Sequence, residues 1–582
     1  MRLAPAHPGR RLALAWAVGT CALLAATAPA QGIGRDEGVY LMAAESYAGF
    51  PADALRAPGS VLAAADRRFA PNHEHPPLAK WVYGATHALL ADALGWTGHV
   101  QGARAGAFLF GALLSFVLAT WGHALAGWGG ALLAPALFWA VPRHFYHGHP
   151  AALDMPIAAL WLAVVAAYAR SLRLEGKPGE RRWALAAALA FGAALATKHN
   201  GWFLLPLLAA HAALTRLPGW LRVPAGRRPR LVPLALPAMA VMGPLVLLAA
   251  WPWLWRAPWP RFREYALFHL QHENYSWQYF GRILREPPFP IGYPFVVTAL
   301  TVPAAVLVVY VAGFLHGLAL LARDAEQHAP SSVEGARSLE VGGGSPSPAP
   351  AGEGRGEGRT SRDENLLLLV NGLFPIALIA WPTVPIFGGV KHWLPAMPFL
   401  ALLGARALVE SGRALWPSRA CGVAAALGVL ALAPAVRAVA HVHPYGTAAY
   451  NELAGSAPGA ASLGMQRQYW GDAAVGVLDA INEHAIPGAR VWWQETGRAA
   501  VMAWQRDGRA RGDLRWVDRP EDADVSIWHF HAEFRDKEYR TWTAFADAPR
   551  PGEPARYPRP VAGVYLDEVP LVSVYARAGA WR

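Results

Sequence analysis

The stretch QGIGRDEGVYLMAAESYAGF, residues 31–50, follows the first apolar run and leads through a Pro- and Gly-bearing connector to NHEHPPLAK, residues 72–80. This region crowds ionisable side chains between segments apolar enough to lie in a bilayer; they are Asp36, Glu37, His73, Glu74, His75 and Lys80. Packing alone does not explain such a group, because charged side chains beside lipid are costly. We interpret residues 31–80 as the segment around which a membrane-associated reaction centre is organised.

Composition places the chain in a membrane. Of its 582 residues, 54% are hydrophobic and 16% are charged, and the mean hydropathy is +0.21. These values exclude a single soluble domain and are typical of a polytopic membrane protein. The formal charge of +12 comes largely from Arg residues in short loops between apolar runs, which indicates positive-inside topology and not a nucleic-acid partner. The two cysteines, Cys21 and Cys421, cannot supply a disulfide framework, a CxxC pair or a Cys-based zinc site.

Apolar runs recur along the chain, and each crossing of a bilayer needs about 17–25 residues. Runs of about this length lie near residues 12–30, 101–122, 128–146, 151–172, 181–198, 201–216, 231–255, 293–322, 365–381, 391–410 and 418–440. We therefore predict about eleven spans. A further run, residues 78–96, would put Asp154 on the wrong side of the basic loop at 170–182 if it crossed. We predict that it is an amphipathic helix lying on the outer surface.

The first 30 residues have the basic start, apolar centre and APA end of a signal peptide. The apolar part is nevertheless about 20 residues long, which is enough to span, and further spans follow. We therefore expect a retained first helix with a cytoplasmic N-terminus, in a multi-pass protein of the inner (plasma) membrane.

The expected fold is mostly α, a polytopic helix bundle with a small C-terminal α/β domain. Residues 1–440 would form the transmembrane domain, with a first outer loop carrying surface helices at 31–100. Residues 324–363 are rich in Gly, Ser, Pro and charge, which predicts a disordered cytoplasmic loop. Residues 441–582 contain strand-like segments such as ARVWWQETG and EVPLVSVYARA beside the helix-like AAVGVLDAINEHA, which predicts an extracytoplasmic domain.

Two acidic residues on separate segments are the strongest candidates for chemistry. Asp36 and its neighbour Glu37 precede Tyr40 by about one helical turn, although acids in a first turn also stabilise helix N-termini without any further role. Asp154, in PAALDMP, lies at the predicted outer mouth of a span, where a carboxylate is usually functional. Two such acids serve either as base and orienting group or as two ligands of one divalent cation. The pattern does not separate these alternatives.

Histidines supply a candidate metal site. In HEHPP, residues 73–77, the triplet offers Glu74 and His75, although a Pro-Pro helix start with solvated His would look the same. His269 and His272 are three residues apart on a predicted helix and either bind metal or pack at the membrane interface.

Cations on the predicted outer side point to an anionic substrate. Lys198, Lys391 and the adjacent His392 stand at helix mouths against the positive-inside trend, and Arg261 lies in a later outer loop. Outward cations of this kind suit a phosphate group. A base, phosphate-binding cations and a site open to lipid together suggest a lipid-linked phosphate substrate.

These motifs resemble a known family. DEGVY after the first span, HEHPPLAK at the end of the first outer loop and ALDMP at the mouth of a later span, in that order, are similar to the family 39 membrane glycosyltransferases that use polyprenyl-phosphate sugars. That family includes protein O-mannosyltransferases and the aminoarabinose transferases of lipid A. The resemblance covers roughly residues 10–450. It implies a GT-C fold, inverting transfer on the outer face, a polyprenyl-phosphate sugar donor and a lipid, glycan or protein acceptor.

The resemblance also implies roles for individual residues. Asp36 and Asp154 match the acids of the first and second motifs, and Glu37 matches the partner acid of the first motif in the mannosyltransferases. Lys80 matches the Lys that follows HPPL there. We expect Tyr40 and His75 to join Lys80, Lys198, Arg261, Lys391 and His392 in binding substrate or phosphate.

In the aminoarabinose transferases a Glu at the position of Glu74 binds metal together with a His from a later outer loop. His269 or His272 would fill that second role here, with Zn, Mg or Mn as the cation. The C-terminal domain is not the lectin-like domain of eukaryotic mannosyltransferases, which argues against assuming a Ser/Thr acceptor.

Two other classes of protein remain open. A transporter or flippase of a lipid-linked or anionic solute would use the same acids as a proton or cation site. Against it, the acids cluster at the outer edge, and no inverted repeat of broken helices is visible. A non-catalytic assembly or sensor protein would explain the C-terminal domain but would leave the acidic clusters without a role.

Overall fold

The computed structural model describes residues 8–271, 273–327, 354–531, 535–546 and 557–582. Helices dominate the chain up to residue 442. Those before residue 150 are α1 (Pro8–Thr27), α2 (Arg35–Ala48), α3 (Phe50–Arg56), α4 (Val61–Phe69), α5 (Leu78–His87), α6 (His99–Trp139) and α7 (Pro142–His147). Those that follow are α8 (Asp154–Arg173), α9 (Glu180–Leu195), α10 (Leu204–Leu221), α11 (Ala235–Ala250), α12 (Pro258–Leu270), α13 (Tyr293–Thr301), α14 (Ala304–Gln327), α15 (Gly354–Ile379), α16 (Met397–Leu415) and α17 (Ala420–Val442).

The helical part has the composition of a membrane bundle. Every apolar run singled out in the sequence contains helix, and six helices of the described chain are long and apolar enough to cross a bilayer. One of them, α6, is broken at Ala126 and Gly127, whose backbone angles are not helical. The break separates the two runs predicted at 101–122 and 128–146. The centre of the bundle is made by α6, which packs against α1, α5, α8 and α16.

The run at 78–96 is not a long helix. It forms the ten-residue α5 and then a short π-helical segment, Ala88–Ala93. Ten α-helical residues rise only about 15 Å, half of a hydrocarbon core of about 30 Å. Its position on the membrane surface stays a prediction.

The predicted disordered loop at 324–363 needs correction at both ends. Residues up to Gln327 continue α14, and residues from Gly354 begin α15. Helix formation at these ends was missed because the charged, Gly-containing flanks lack an apolar period, yet they extend helices already nucleated by apolar segments. The centre of the loop lies outside the described residues.

The C-terminal part is the small α/β domain that the alternating segments predicted. Besides a short hairpin of β1 (Trp277–Tyr279) and β2 (Arg282–Leu284) in the loop after α12, the strands are β3 (Arg490–Trp493), β4 (Arg515–Trp516), β5 (Val525–His529), β6 (Ala562–Leu566) and β7 (Val569–Ala576). The five-stranded sheet has the order β4-β3-β5-β7-β6, with β3 parallel to β4 and β5, and β7 antiparallel to β5 and β6. Its helices are α18 (Ser456–Ser462), α19 (Leu478–His484), α20 (Arg498–Arg506) and α21 (Arg535–Phe545). The mostly α bundle with a C-terminal α/β domain is therefore confirmed.

Candidate active site

Asp36 lies in the first turn of α2, two residues after Gly34, which is extended and immediately precedes the helix. A Gly-rich segment permits the sharp exit from α1, and an acid in the first turn complements the positive end of the helix dipole. The carboxylate Oδ2 of Asp36 lies 3.3 Å from Nζ of Lys391. Its side chain is 31% exposed while that of Lys391 is only 8% exposed, so Asp36 is the accessible member of this pair.

Asp154 forms a second acid–lysine pair. It begins α8, and its Oδ1 accepts a hydrogen bond from Nζ of Lys198 at 2.6 Å. Lys198 follows the end of α9 in an extended conformation, which turns its side chain toward α8. Both side chains are nearly buried, and two opposite charges in such a place stabilise each other only if they remain paired.

The two pairs line one cavity of about 930 Å³. Nine of the residues singled out in the sequence border it; these are Asp36, Tyr40, Glu74, His75, Asp154, Lys198, His269, Lys391 and His392. The two acids therefore face the same space, although 118 positions separate them in the chain (154 − 36). Two carboxylates and two ammonium groups around one cavity are able to hold a proton donor and an anionic group side by side.

The remaining wall of the cavity is largely apolar. It includes Phe203, Phe262, Phe268, Leu270, Leu378, Ile379 and Val384. Leu270 and Phe268 are 81% and 42% exposed. A hydrocarbon chain would find contact surface on this wall, since apolar groups gain free energy when they leave water.

Lys80 occupies a different place from the one predicted. It is fully buried and does not border the cavity, and Nζ donates to Asn72 O at 2.9 Å, Asn72 Oδ1 at 2.7 Å and His75 O at 2.9 Å. All three ammonium donors are thus used on the turn that carries Glu74 and His75. Burial lowers the pKa of Lys80 to about 7, and the charge of Glu74 opposes this shift. Lys80 positions the turn and does not contact a phosphate in this arrangement.

Glu37 also departs from its predicted catalytic role. Its carboxylate is 1% exposed and receives Nε and Nη2 of Arg104 at 2.7 and 2.8 Å, together with the backbone N–H of Ala151 at 2.9 Å. Arg104 further donates to the carbonyl oxygens of Ala28, Gln31 and Gly32. Arg104 therefore ties both α2 and the segment before it to α6. The oxygens of Glu37 are used in these contacts, and Glu37 does not border the cavity.

Arg261 likewise forms internal contacts. Its Nη1 lies 2.6 Å from Asp66 Oδ1, and its guanidinium lies 4.9 Å from the ring centroid of Trp253. It does not border the cavity. The charge of Arg261 is compensated by Asp66, an acid of α4 that the sequence did not indicate as a neighbour, and its phosphate contact stays a prediction.

Three imidazoles gather at one side of the cavity. The ring centroids of His269 and His75 are 5.3 Å apart, and those of His269 and His199 are 4.2 Å apart. Burial first, and then the charge of Lys80, hold the pKa of His75 well below its ordinary value. Neutral imidazole is the form that binds a metal ion, and imidazole suits zinc better than magnesium.

The carboxylate of Glu74 takes no part in the contact with His269. His269 Nε2 meets the backbone carbonyl of Glu74 at 3.2 Å, while Glu74 Oε1 accepts from Asn72 Nδ2 at 2.6 Å. Among the described residues, the donor atoms of these three imidazoles do not lie close enough together to surround one ion, so a cation held by Glu74 and His269 stays a prediction. His272 lies outside the described residues.

Several residues that line the cavity were not predicted from the sequence. His199 adjoins the predicted Lys198, and Trp470 and His531 come from the C-terminal domain. Lys391 Nζ lies 4.8 Å from the ring centroid of Trp470, and Arg35 N donates to Trp470 O at 2.8 Å. No signal in the sequence placed Trp470 on the same cavity as Asp36, because this depends on how the C-terminal domain docks.

Comparison with known proteins yields structural similarity alone. No family model matches the chain, and no curated protein matches it. Among solved structures, ArnT from Cupriavidus metallidurans bound to undecaprenyl phosphate is similar over 96% of this chain and 97% of its own, at 15% identity and a TM-score of 0.46. The oligosaccharyltransferase of Archaeoglobus fulgidus, in complex with Zn and sulfate, is similar over 94% of this chain and 72% of its own, at 10% identity and a TM-score of 0.43.

Proposed function

We propose that the protein is a membrane glycosyltransferase that moves a sugar from a polyprenyl-phosphate donor to an acceptor hydroxyl on the outer face of the membrane, with inversion. The observation that carries the proposal is the pair of acid–lysine contacts, Asp36 with Lys391 and Asp154 with Lys198, on one cavity. The acids suit proton abstraction, the lysines suit a phosphate leaving group, and the apolar wall suits a polyprenyl chain. The acceptor is a lipid, a glycan or a protein.

Asp36 acts as the general base in this proposal. The acceptor oxygen bonds to the anomeric carbon while the bond from that carbon to the donor phosphate oxygen breaks. The acceptor proton passes to Asp36, and the electron pair leaves with the polyprenyl phosphate. Asp36 is the better candidate of the two acids because its carboxylate is the more exposed. Asp154, held by Lys198, orients the sugar or the acceptor.

Lys391 and Lys198 stabilise the leaving group. Negative charge develops on the phosphate as the glycosidic bond breaks, and preorganised cations at that place lower the barrier. The neighbouring His392 lines the same cavity. Burial and the charge of Lys391 hold the pKa of His392 well below its ordinary value, so His392 is a neutral hydrogen-bonding group.

A divalent cation is part of the proposal as a secondary feature. Glu74 and His269, which both line the cavity, would hold it there, and its charge would help to bind phosphate. These residues also keep the turn at 72–75 against α12, whether or not an ion is bound.

The decisive experiment follows a radiolabelled polyprenyl-phosphate sugar incubated with the purified protein in lipid. Release of free polyprenyl phosphate together with a labelled acceptor supports the proposal. Uptake of intact donor into sealed vesicles without cleavage would assign the protein to transport instead.

Asp36→Asn provides the test at the residue level. A positioned general base contributes about 10²- to 10⁴-fold to a rate, so turnover should fall by that order. Asp53→Asn, in the same outer segment but paired with Arg67 and Arg68, is the matched control and should keep wild-type turnover. Undiminished turnover of Asp36→Asn at equal protein level would remove Asp36 from the role.

A further inference from the structure

We propose that Glu45, His87 and His99 bind a zinc ion at a site separate from the cavity. Glu45 lies on α2, His87 ends α5 and His99 begins α6. One ligand atom of each lies within 4.8 Å of the other two. None of the three borders the 930 Å³ cavity, so this ion would have a role different from that of a cation beside the substrate.

The distances match a tetrahedral ion. His87 Nε2 lies 3.0 Å from His99 Nδ1 and 3.3 Å from Glu45 Oε1. Zinc bonds to nitrogen and carboxylate oxygen of about 2.0–2.2 Å place neighbouring tetrahedral ligands about 3.3 Å apart. Two of the three donor separations are therefore already at the spacing of a zinc coordination shell, and the third, between Glu45 and His99, is within 4.8 Å.

Asp92 provides the supporting contact that zinc-binding imidazoles usually have. Its Oδ2 lies 3.3 Å from His87 Nδ1, on the side of the ring opposite to the proposed ion. A proton on Nδ1 shared with this carboxylate leaves Nε2 free to bind metal. The other oxygen of Asp92 lies 3.8 Å from His99 Nδ1. Asp92 thus faces both imidazoles and offsets the charge of the ion.

The site joins the outer segment to the C-terminal domain. Arg506, at the end of α20, lies 2.6 Å from Glu45 Oε1, and the carboxylate of Asp507 accepts from the backbone N–H groups of His99 and Val100 at 2.8 and 3.0 Å. A zinc-bound carboxylate still has lone pairs for such a hydrogen bond. The ion would therefore hold α2, α5 and α6 together at the point where the C-terminal domain docks.

The donor set selects zinc over the common hard cations. Two imidazoles and one carboxylate are typical zinc ligands, whereas magnesium and calcium prefer oxygen atoms alone. Glu45 is 41% exposed at its side chain and His99 30%, which gives the ion a route in and leaves space for water as a fourth ligand. The alternative is an ion-pair cluster in which His87 is protonated between Glu45 and Asp92.

Zinc content of the full-length purified protein separates these alternatives. The protein is stripped with a chelator, reloaded with zinc chloride and desalted, and bound metal is measured per chain. The double variant His87→Gln/His99→Gln should bind one zinc fewer than wild type. His441→Gln, which removes an imidazole paired with Asp567 elsewhere, is the matched control and should bind as wild type does. Equal zinc content in wild type and the double variant overturns the proposal.

A second set of variants separates loss of zinc binding from misfolding and from any effect on the imidazoles beside the cavity. Asp92→Asn should weaken zinc affinity by about 10–100-fold, the usual effect of losing a carboxylate that supports a zinc-bound His, while the purified protein stays monodisperse. Zinc should raise the thermal midpoint of wild type but not of Glu45→Gln. His269→Gln should keep the zinc of this site, because it alters only the imidazoles beside the cavity. An Asp92→Asn affinity equal to that of wild type would contradict the assigned geometry.

Discussion

At the scale of single residues, the structure divides the predicted acids into two kinds. Asp36 and Asp154 each face a lysine across a shared cavity, whereas Glu37, the neighbour of Asp36, points into a buried ion pair with Arg104. Adjacent residues on a helix point about 100° apart, so two neighbouring acids seldom serve one site. In this adjacent acid pair, Asp36 therefore lines the cavity, whereas Glu37 stabilises the packing of α2 on α6.

Glu37→Gln should lower stability rather than act on the chemical step. Replacing one member of a buried ion pair leaves the charge of Arg104 uncompensated, which costs about 3–5 kcal/mol of the free energy of unfolding. Denaturant titration of the wild-type and variant proteins in detergent measures this loss of unfolding free energy. Asp522→Asn removes the carboxylate of an exposed pair with Arg519 and should change stability little. A Glu37→Gln protein of unchanged stability but lost turnover would return Glu37 to the catalytic group.

At the scale of elements, the position of the candidate site depends on how closely α2 and α5 approach each other. A Cβ added at Gly84 of α5 would overlap the carbonyl oxygen of Ala44 and lie 3.0 Å from the Cβ of Ala48, both on α2. The absence of a side chain at Gly84 therefore permits this close approach of α2 and α5. Their contact places Asp36, on α2, beside the turn at 72–75 that precedes α5.

Gly84→Ala should destabilise the protein by about 1–3 kcal/mol, the range expected for overpacking a tight contact. The thermal midpoint of the purified protein measures the change, and turnover should fall with it because α2 carries Asp36. Gly19→Ala in α1 is the matched control, since an added Cβ there meets nothing within 4 Å among the described residues. The Gly19→Ala substitution should leave stability unchanged or raise it slightly, because Ala within a helix is more stable than Gly by about 0.5–1 kcal/mol. Equal midpoints for the two variants would show that the contact is not tight.

At the scale of the whole molecule, the C-terminal domain completes the site and is not an independent appendage. Trp470 and His531 line the cavity, and the backbone of Asp472 packs so closely on Gly32 that an added Cβ would overlap it. Asp472 is buried near the ion pair of Glu37 and Arg104. Burial raises its pKa from the ordinary 3.8 to about 7, and the charge of Glu37 acts in the same direction.

This pKa shift gives stability a definite dependence on pH. The folded protein holds the Asp472 proton more tightly than the unfolded chain, so the free energy of unfolding should fall as pH rises from about 4 to about 7. Above that range the contribution of Asp472 to the free energy of unfolding no longer changes with pH. Asp472→Asn carries no titratable proton, and the difference in stability between it and wild type should change over this pH range. Thermal midpoints of both proteins at several pH values measure this difference, and Asp479→Asn, at an exposed position of α19, is the control. A difference that does not vary with pH would show that the pKa of Asp472 is the same in the folded and unfolded protein.

The sequence by itself determined the membrane class, the helical runs, the C-terminal α/β domain and the segments that carry Asp36, Asp154, Lys198 and Lys391. These features follow from hydropathy, periodicity and the cost of charge beside lipid, all of which are local in the chain. Only the tertiary structure decided which charged groups meet. It assigned Glu37, Lys80 and Arg261 to internal contacts. It also brought His199 and Trp470 to the cavity and gathered Glu45, His87 and His99 into a separate cluster. The physical reason is that a side chain's partner depends on helix rotation, close approach and domain docking, which involve residues hundreds of positions apart.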